Sequence, residues 1–258
     1  LPPNFGLGDA IEYGISLNSL IKSNKFSKVG IAFCSNYFFL FKKIFLFSNI
    51  YRLTISNKEI KKYDTIFHIT LEVEALKFQK YNRSNIVLEI CKYFKVLISD
   101  FKIKKEKPIN NSVKKISIFP VSTSVIRSLP YGIIEKIAEN FYKNYKLEIF
   151  IDDSNYSKYL KEKITNNNIS FINPKNTETL ISEFSKVNFG IFVDSGPLHL
   201  AKIFNKNGIF IETSVSNKIL LGNSNKIKTI KNKYISKFCS GPCGLVDIFS
   251  YNNNVGCY

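Results

Sequence analysis

The sequence contains no methionine, no tryptophan and only two histidines, and its 20 acidic residues are outnumbered by 37 basic ones. Because methionine is absent and the first residue is Leu1, we expect the sequence to begin downstream of the natural start. No apolar run reaches the roughly 18 residues that a membrane-spanning helix needs. The richest candidate, YFFLFKKIFLF at 37–47, is interrupted by Lys42 and Lys43. The sequence therefore predicts no transmembrane span.

The formal net charge of +17 is the strongest feature of the composition. Such an excess attracts polyanions, namely nucleic acid, nucleotide diphosphates or anionic lipid headgroups. An alternative origin is codon usage, because lysine, asparagine, isoleucine, phenylalanine and tyrosine all have codons rich in A and T. Charge alone therefore selects no partner. The length of 258 residues and the hydrophobic fraction of 45% suit one large or two ordinary globular domains.

Five cysteines fall into two groups. Cys34 and Cys91 lie in apolar segments and are predicted to be buried thiols. Cys239, Cys243 and Cys257 lie in a glycine-containing tail, where three thiols offer either the start of a metal site or a disulfide. A structural zinc site normally has a fourth ligand and a two-residue gap between paired cysteines, which the three-residue gap of CSGPC lacks.

The first half of the chain predicts a helix at 6–23, a strand at 28–33, a helix at 35–47 and a strand at 63–69. The aromatic helix has two interpretations: it lies on an anionic membrane surface, or it belongs to the core and exposes its lysine pair. We favour the core, because a continuous aromatic run lacks the one-sided apolar face of an interfacial helix. The polar segment at 100–114 predicts a linker.

The second half alternates strands and helices more regularly. Strands are predicted at 115–121, 146–152, 169–173, 188–194 and 208–214, with helices at 131–145, 154–167 and 178–187 and a further one after 194. This alternation predicts an α/β fold of two Rossmann-like domains facing each other across a cleft. The predicted domains are 1–108 and 112–258, with ligands at the carboxyl ends of the strands.

The segment VDSGPLHLAK at 193–202 joins an apolar strand to a helix. Pro197 suits the first helical position, and Gly196 lets an anion approach the backbone at the positive end of the helix. His199 then donates a hydrogen bond to that anion. The alternative is an ordinary helix start with His199 on a polar surface. The residues predicted to form this ligand-binding turn are Asp194, Ser195, Gly196, Pro197 and Leu198.

A second polar loop, PVSTSVIRSLP at 120–130, follows the first strand of the second half. Ser122, Thr123 and Ser124 supply hydroxyl and amide donors there, and Arg127 supplies a guanidinium suited to phosphate. The alternative is a solvated loop. After the next strand, Asp152 and Asp153 stand where an acid binds a ribose hydroxyl, although an acid at that place also caps helices.

Three segments together resemble the ADP-heptose:lipopolysaccharide heptosyltransferases of glycosyltransferase family 9, inverting enzymes of the GT-B fold. These segments are GLGDA at 6–10, STSVIRSLP at 122–130 and DSGPLHLA at 194–201. DSGPLHLA is the most specific of them, and the resemblance runs over nearly the whole chain. Arg127 stands where the family pattern has lysine, and Leu129 where it often has tryptophan.

The resemblance implies a role for each segment. Asp9 is the general base that deprotonates an acceptor hydroxyl; a helix cap is the alternative role for it. Arg127 and His199 stabilise the leaving diphosphate, and Asp153 belongs to the donor site. The implied donor is a nucleotide-diphosphate sugar, ADP-heptose being favoured, and no metal or cofactor is implied. The implied acceptor is lipopolysaccharide or another surface glycan, or a lipid-linked acceptor, in the cytoplasm or at the inner face of the cytoplasmic membrane.

Two rival functions stay open from the sequence. Lysines interleaved with aromatics, as in KYFKV and FYKNYK, suit a basic protein that holds nucleic acid. A shortened first domain and an end at Tyr258, before the usual closing helix, instead suit a homologue that only binds nucleotide.

Overall fold

Two parallel sheets organise the chain, one in each of two units, Leu1–Phe101 and Lys102–Tyr258. The computed structural model describes residues 5–33, 37–68, 85–103, 115–222 and 224–231. The division into units falls inside the predicted linker, of which residues 104–114 lie outside the described ranges. The predicted domain limits, 1–108 and 112–258, stay a prediction.

The first unit is built around a long buried helix and a small sheet. Its elements are α1 (Leu7–Lys22), β1 (Ile31–Phe33), a π-helix (Leu40–Ile44), β2 (Ile50–Arg52), α2 (Asn57–Ile60) and α3 (Ile86–Tyr93). β1 and β2 pair in parallel, with Ile31 opposite Ile50. Every residue of α1 from Ala10 to Leu20 is buried, and α1 packs against α3.

The aromatic segment at 37–47 belongs to the core of this unit. Leu40 and Phe41 are fully buried, and the Phe41 ring lies 4.8 Å from that of Phe33. Lys42 and Lys43 are exposed. The core interpretation, with its exposed lysine pair, is therefore confirmed.

The strand predicted at 63–69 is wrong for the described residues 63–68, which form turns and irregular backbone. Ile66 and Phe67 are 66% and 42% exposed, so this apolar run does not enter a sheet. The place beside β1 is taken by residues 50–52 instead. Tyr63 packs beside that strand through its side chain, since its hydroxyl lies 3.0 Å from that of Tyr51.

The second unit contains a six-stranded, fully parallel sheet. Its strands are β3 (Lys115–Phe119), β4 (Lys146–Phe150), β5 (Ile169–Ile172), β6 (Phe189–Phe192), β7 (Asn207–Ile211) and β8 (Ile227–Ile230). Its helices are α4 (Tyr131–Phe141), α5 (Asn155–Lys163), α6 (Thr177–Ser185), α7 (Gly196–Ile203) and α8 (Asn217–Leu220). The spatial order β5-β4-β3-β6-β7-β8 is that of a Rossmann sheet. All five predicted strands are present, and β8 was missed.

Close contact between the two strands β6 and β7 depends on glycine. Gly190 lies opposite Gly208 in the parallel register. The Phe192 ring lies over both, where an added Cβ at either position would be within 2.7 Å of a ring carbon. Phe192 in turn stacks on Phe119, with ring centroids 5.1 Å apart. The glycine pair thus makes room for the aromatic layer on the central strands.

Two other sequence predictions concern cysteine and membrane spans. Cys91 is buried, which confirms the predicted buried thiol, and burial raises the pKa of that thiol. Cys34 and the tail cysteines Cys239, Cys243 and Cys257 lie outside the described residues. Among the helices that the structure describes, none has the length and apolarity to span a membrane.

Replacing Gly208 by alanine is expected to destabilise the second unit. The new Cβ would lie 2.4 Å from the Gly190 carbonyl oxygen, a backbone atom that moves only with its strand. We expect the free energy of unfolding to fall by about 1–3 kcal/mol, as overpacking does elsewhere. Gly132→Ala in α4 is the matched control: no atom lies within 4 Å of its added Cβ. It should raise stability by about 0.5–1 kcal/mol. Urea unfolding of both variants measures the difference, and equal midpoints would contradict the packing argument.

Candidate functional site

The direction of chain growth reverses between β3 and β6, the two central strands of the six-stranded sheet. From β3 the chain adds β4 and β5 on one side, then returns to add β6, β7 and β8 on the other. The loops after β3 and β6 therefore diverge at the carboxyl edge. In open parallel sheets such a crevice is the usual place for a ligand. The two loops are residues 120–130 and 193–195, which include most of the predicted site residues.

Hydrogen bonds tie these two loops together. The Ser122 hydroxyl donates to the carbonyl oxygen of Asp194 at 2.8 Å. Arg127 Nη2 donates to Thr123 Oγ1 at 2.7 Å, and Arg127 Nη1 lies 3.5 Å from Asp194 Oδ2. The structure thus brings together four residues that the sequence analysis placed in one site.

The Arg127–Asp194 pair is largely buried. Only 17% of the Arg127 side chain and 7% of the Asp194 side chain are exposed. The contact holds the Asp194 carboxylate against the guanidinium and so restricts the orientation of both side chains. The predicted part of Asp194 in donor binding stays a prediction. Removal of either side chain would leave a largely buried charge without its partner, which would strongly lower the stability of the fold.

Two polar atoms of the first loop are buried with no hydrogen-bond partner among the described residues. These atoms are Ser124 Oγ and Arg127 Nε. Buried donors are almost always satisfied in folded proteins, so two unpaired ones after the same strand, β3, are unusual. Neither atom is exposed to solvent, so neither is itself open to a ligand in the crevice.

The helix start after β6 offers fewer amides than the sequence suggested. Pro197 has no N–H, and the Leu198 N–H donates to the Ser195 carbonyl at 3.0 Å. This leaves the N–H groups of Ser195 and Gly196, which have no acceptor among the described residues. Ser195 is the N-cap residue, but its hydroxyl makes no capping bond. The prediction of a row of amides from Ser195 to Leu198 is therefore corrected to two donors at the positive end of α7.

His199 lies on the buried side of the first turn of α7 and is 7% exposed. The interpretation that placed it on an open polar surface is therefore wrong. Its predicted hydrogen bond to an anion stays a prediction.

The acids after β4 are engaged within their own surroundings. Asp152 accepts hydrogen bonds from the Ser157 hydroxyl at 2.6 Å and the Ser154 N–H at 3.0 Å, at the start of α5. The cap itself is Ser154, whose hydroxyl accepts from the Ser157 N–H, so Asp152 supports the cap from outside the helix. Asp153 is an exposed carboxylate whose Oδ1 accepts from Lys175 Nζ at 2.7 Å and Asn173 Nδ2 at 2.8 Å, and these contacts lower its pKa. Its ribose role stays a prediction.

Tyr156 is a residue that sequence reasoning missed. Its hydroxyl donates to the carbonyl of Leu129, a 2% exposed residue at the end of the Arg127 loop. The Leu129 N–H donates to Pro120 at 2.8 Å, so the loop is closed at its base and fixed to α5. Burial, with a smaller contribution from the charge of Tyr159, raises the pKa of Tyr156 to about 12. No motif marks Tyr156, because its partner is a backbone atom.

Glu212, at the carboxyl end of β7, was also missed. It is 4% exposed, and its Oε2 accepts a hydrogen bond from the Asn217 N–H at 2.8 Å. The sequence analysis had assigned residues 208–214 to a strand, whereas β7 ends at Ile211. Glu212 therefore holds the start of α8 at the same edge of the sheet as the two loops.

In the first unit, Asp9 lies in the first turn of α1 and its side chain is exposed. Its Oδ2 accepts a hydrogen bond from the Gly6 N–H at 3.2 Å. Gly6 is the N-cap residue, so Asp9 caps from the third helical position rather than from the N-cap itself. Burial and then the charge of Asp9 raise the pKa of Tyr37, which keeps that phenol neutral beside the carboxylate. Two aromatic side chains pack together near this turn, with the Phe5 ring 5.4 Å from that of Tyr37.

By sequence, no family model and no curated protein matches the chain. Solved structures do. E. coli heptosyltransferase WaaC with ADP superposes with a TM-score of 0.58 at 9% identity, covering 89% of this chain and 92% of that one. E. coli ADP-heptose lps heptosyltransferase II gives 0.57 at 9% identity, with 88% of each chain covered. A family 9 glycosyl transferase from Veillonella parvula gives 0.59 at 12% identity, covering 89% and 86%.

The chain has the fold of the family 9 glycosyltransferases. Because the match covers 89% of the chain, it includes most of both units. The predicted α/β fold class is confirmed at this level. The three segments that carry the resemblance lie at the start of α1 and on the two loops of the β3–β6 crevice.

Removing the Tyr156 hydroxyl is expected to loosen the Arg127 loop. Tyr156→Phe leaves the Leu129 carbonyl without its donor and should lower the free energy of unfolding by about 1–3 kcal/mol. Tyr159→Phe, on the same helix with its ring 40% exposed, should change it by less than about 0.5 kcal/mol. Urea unfolding compares the two. Equal effects would show that the hydroxyl bond does not hold the loop.

The same pair of variants predicts a pH dependence. Tyr156 has a pKa raised from 10.0 to about 12, so the fold favours the neutral phenol. Its contribution is complete below pH 10 and is lost as the pH rises from 10 towards 12. The stability gap between wild type and Tyr156→Phe should therefore narrow between pH 9 and pH 11. A gap that widens with pH would contradict the assigned direction.

Proposed function

We propose that the protein is an inverting, metal-independent glycosyltransferase that uses a nucleotide-diphosphate sugar. The observation that carries the proposal is the β3–β6 crevice, where Asp194 and Thr123 hold the Arg127 guanidinium on one loop and the N–H groups of Ser195 and Gly196 have no acceptor among the described residues on the other. A planar cation held by Asp194 and Thr123 suits a diphosphate. The fold supports the choice of reaction, since solved structures of the same fold are heptosyltransferases.

The leaving group determines what the second unit has to do. As the bond between the anomeric carbon and the diphosphate oxygen breaks, the nucleotide diphosphate takes the electron pair and gains negative charge. Arg127 and the N–H groups of Ser195 and Gly196 are donors that are already in place for that charge. Preorganised donors of this kind contribute much of the rate enhancement in transfer reactions. The proposal assigns this stabilisation to side chains and amides rather than to a metal ion, with His199 as a further donor.

The acceptor needs a base, and the proposal assigns that role to Asp9. One carboxylate oxygen is committed to the Gly6 N–H, and the side chain is exposed, so the carboxylate is reachable by a sugar hydroxyl. The hydroxyl proton passes to Asp9 while its oxygen forms a bond to the anomeric carbon from the face opposite the diphosphate. That direction of attack inverts the anomeric centre.

The proposed donor is ADP-heptose, and the proposed acceptor is lipopolysaccharide or another surface glycan, or a lipid-linked acceptor. Support for the donor comes from E. coli WaaC, which has been solved with ADP and with ADP-2-deoxy-2-fluoro heptose. Such a reaction would take place in the cytoplasm, peripheral to the inner face of the membrane. Within the aromatic segment at 37–47, Leu40 and Phe41 are in the core and are not available to a membrane.

Replacing Asp9 by alanine is expected to abolish sugar transfer while leaving ADP affinity within about twofold, because the base acts on the acceptor alone. Mass spectrometry of the acceptor measures transfer, and calorimetry measures ADP binding. Unchanged turnover would exclude Asp9 as the base. A wild-type chain that binds ADP but transfers no sugar from a panel of nucleotide sugars would leave only a nucleotide-binding protein.

Arg127→Ala is expected to weaken ADP binding at least about tenfold, as loss of a charge-assisted bond to phosphate does. Lys186→Ala, which removes an exposed lysine paired with Glu183, is the matched control and should leave ADP binding unchanged. Titration of ADP, UDP and a single-stranded oligonucleotide at about 50 and 200 mM salt separates the rival function. Binding of the oligonucleotide alone, with steep salt dependence, would favour a nucleic-acid-binding protein.

A further inference from the structure

A groove of about 400 Å³ lies at the amino edge of the six-stranded sheet, between the end of α4 and the starts of β4 and β5. Its position separates it from the β3–β6 crevice, which lies at the carboxyl edge. Five residues of β4, at about 3.3 Å each, set the two edges roughly 15 Å apart. The segment FYKNYK at 141–146, singled out for its alternation of aromatic and basic residues, forms one wall. The proposed transfer reaction makes no use of it.

The lining of the groove is polar and basic. It combines two tyrosines, two lysines and three asparagines, and the described residues that line it include no carboxylate. These side chains are Tyr142, Tyr145, Lys143, Lys146 and the amides of Asn144, Asn167 and Asn168. The local potential is therefore positive, which selects an anionic ligand.

The amides of the groove are available to a ligand. Asn168 uses its backbone, whose carbonyl accepts from the Leu147 N–H at 3.4 Å and whose N–H donates to Asn166. Within the described ranges, no hydrogen bond occupies the side-chain amides of Asn144, Asn167 or Asn168. Each amide presents one acceptor and two donor hydrogens. That combination matches neighbouring sugar hydroxyls, which both donate and accept.

The two tyrosine rings of the groove each lie next to another side chain. The Lys143 ammonium lies 5.9 Å from the centre of the Tyr142 ring, and the Phe141 ring lies 6.0 Å from that of Tyr145. Base recognition on single strands depends on open ring faces. Because both rings already have a partner, the groove has more to offer through hydroxyl, amide and ammonium groups than through stacking.

From these observations we propose that the groove binds an acidic oligosaccharide. Its volume lies in the range of small-molecule sites and is far larger than one phosphate or carboxylate requires. Two ammonium groups recognise the acidic substituents, and the amides recognise hydroxyls. The site does not rest on the proposed transfer reaction, since the groove and the Arg127 loop share no residue.

The test measures binding of hexagalacturonate by calorimetry at about 50 mM salt, with neutral maltohexaose and the oligonucleotide hexathymidylate as comparison probes. Wild type should bind hexagalacturonate more tightly than either. The variant Lys143→Ala/Lys146→Ala should weaken that binding at least about tenfold, as loss of charged hydrogen bonds does. Lys161→Ala/Lys163→Ala removes the same charge from α5, outside the groove, and should weaken it less than about twofold.

A variant that removes an amide but no charge tests whether hexagalacturonate binding depends on more than the net charge of the groove. Asn144→Leu removes one amide from an exposed position and should weaken hexagalacturonate binding about threefold or more. Saturating ADP should leave hexagalacturonate binding by wild type unchanged, so failure of the donor site and failure of the groove are distinguishable. Equal losses in the two lysine pairs, tighter binding of hexathymidylate, or no binding by wild type at millimolar hexagalacturonate would each overturn the proposal.

Discussion

The parallel pairing of β3 with β6 is the constraint on which the candidate site depends. These strands are far apart in sequence, yet the register sets Phe119 opposite Phe192. Their loops therefore start side by side at one edge of the sheet. The pairing holds because Phe192 is accommodated over the glycines of β6 and β7 and stacks on Phe119. Phe119 and Phe192, which pack on the sheet, are the last residues of β3 and β6 and directly precede the two loops of the candidate site.

Within the crevice, Arg127 and Asp194 differ in which of their hydrogen-bonding atoms already have a partner. Asp194 faces the guanidinium from the β6 loop, and its backbone carbonyl also accepts from Ser122. Nη1 of the guanidinium contacts Asp194 and Nη2 donates to Thr123, whereas Nε is buried without a partner among the described residues. A lysine would have no planar array of donors to divide in this way. The arginine at a position where the family pattern has lysine thus fits its surroundings.

The two edges of the six-stranded sheet differ in chemistry. At the carboxyl edge, the loop after β3 is fixed by hydrogen bonds that involve Ser128, Pro120 and Tyr156. At the amino edge, the groove is lined by polar side chains that include two lysines. The first arrangement suits stabilisation of charge that develops during a reaction, which needs fixed donors. The second suits binding alone.

Much of the second unit followed from the sequence because its strands are short apolar runs bounded by polar turns, a pattern that is local. DSGPLHLA and STSVIRSLP were assigned to one site by the same logic, since parallel strands end at a common edge. The strand at 50–52, the exposure of Ile66 and the missed β8 depended on which segment fills a place in a sheet, a competition between distant segments. Tyr156, the loss of the Leu198 amide to Ser195 and the burial of His199 were likewise decided by tertiary structure. Each is a contact of backbone atoms or a matter of packing, and neither leaves a mark in residue type or spacing.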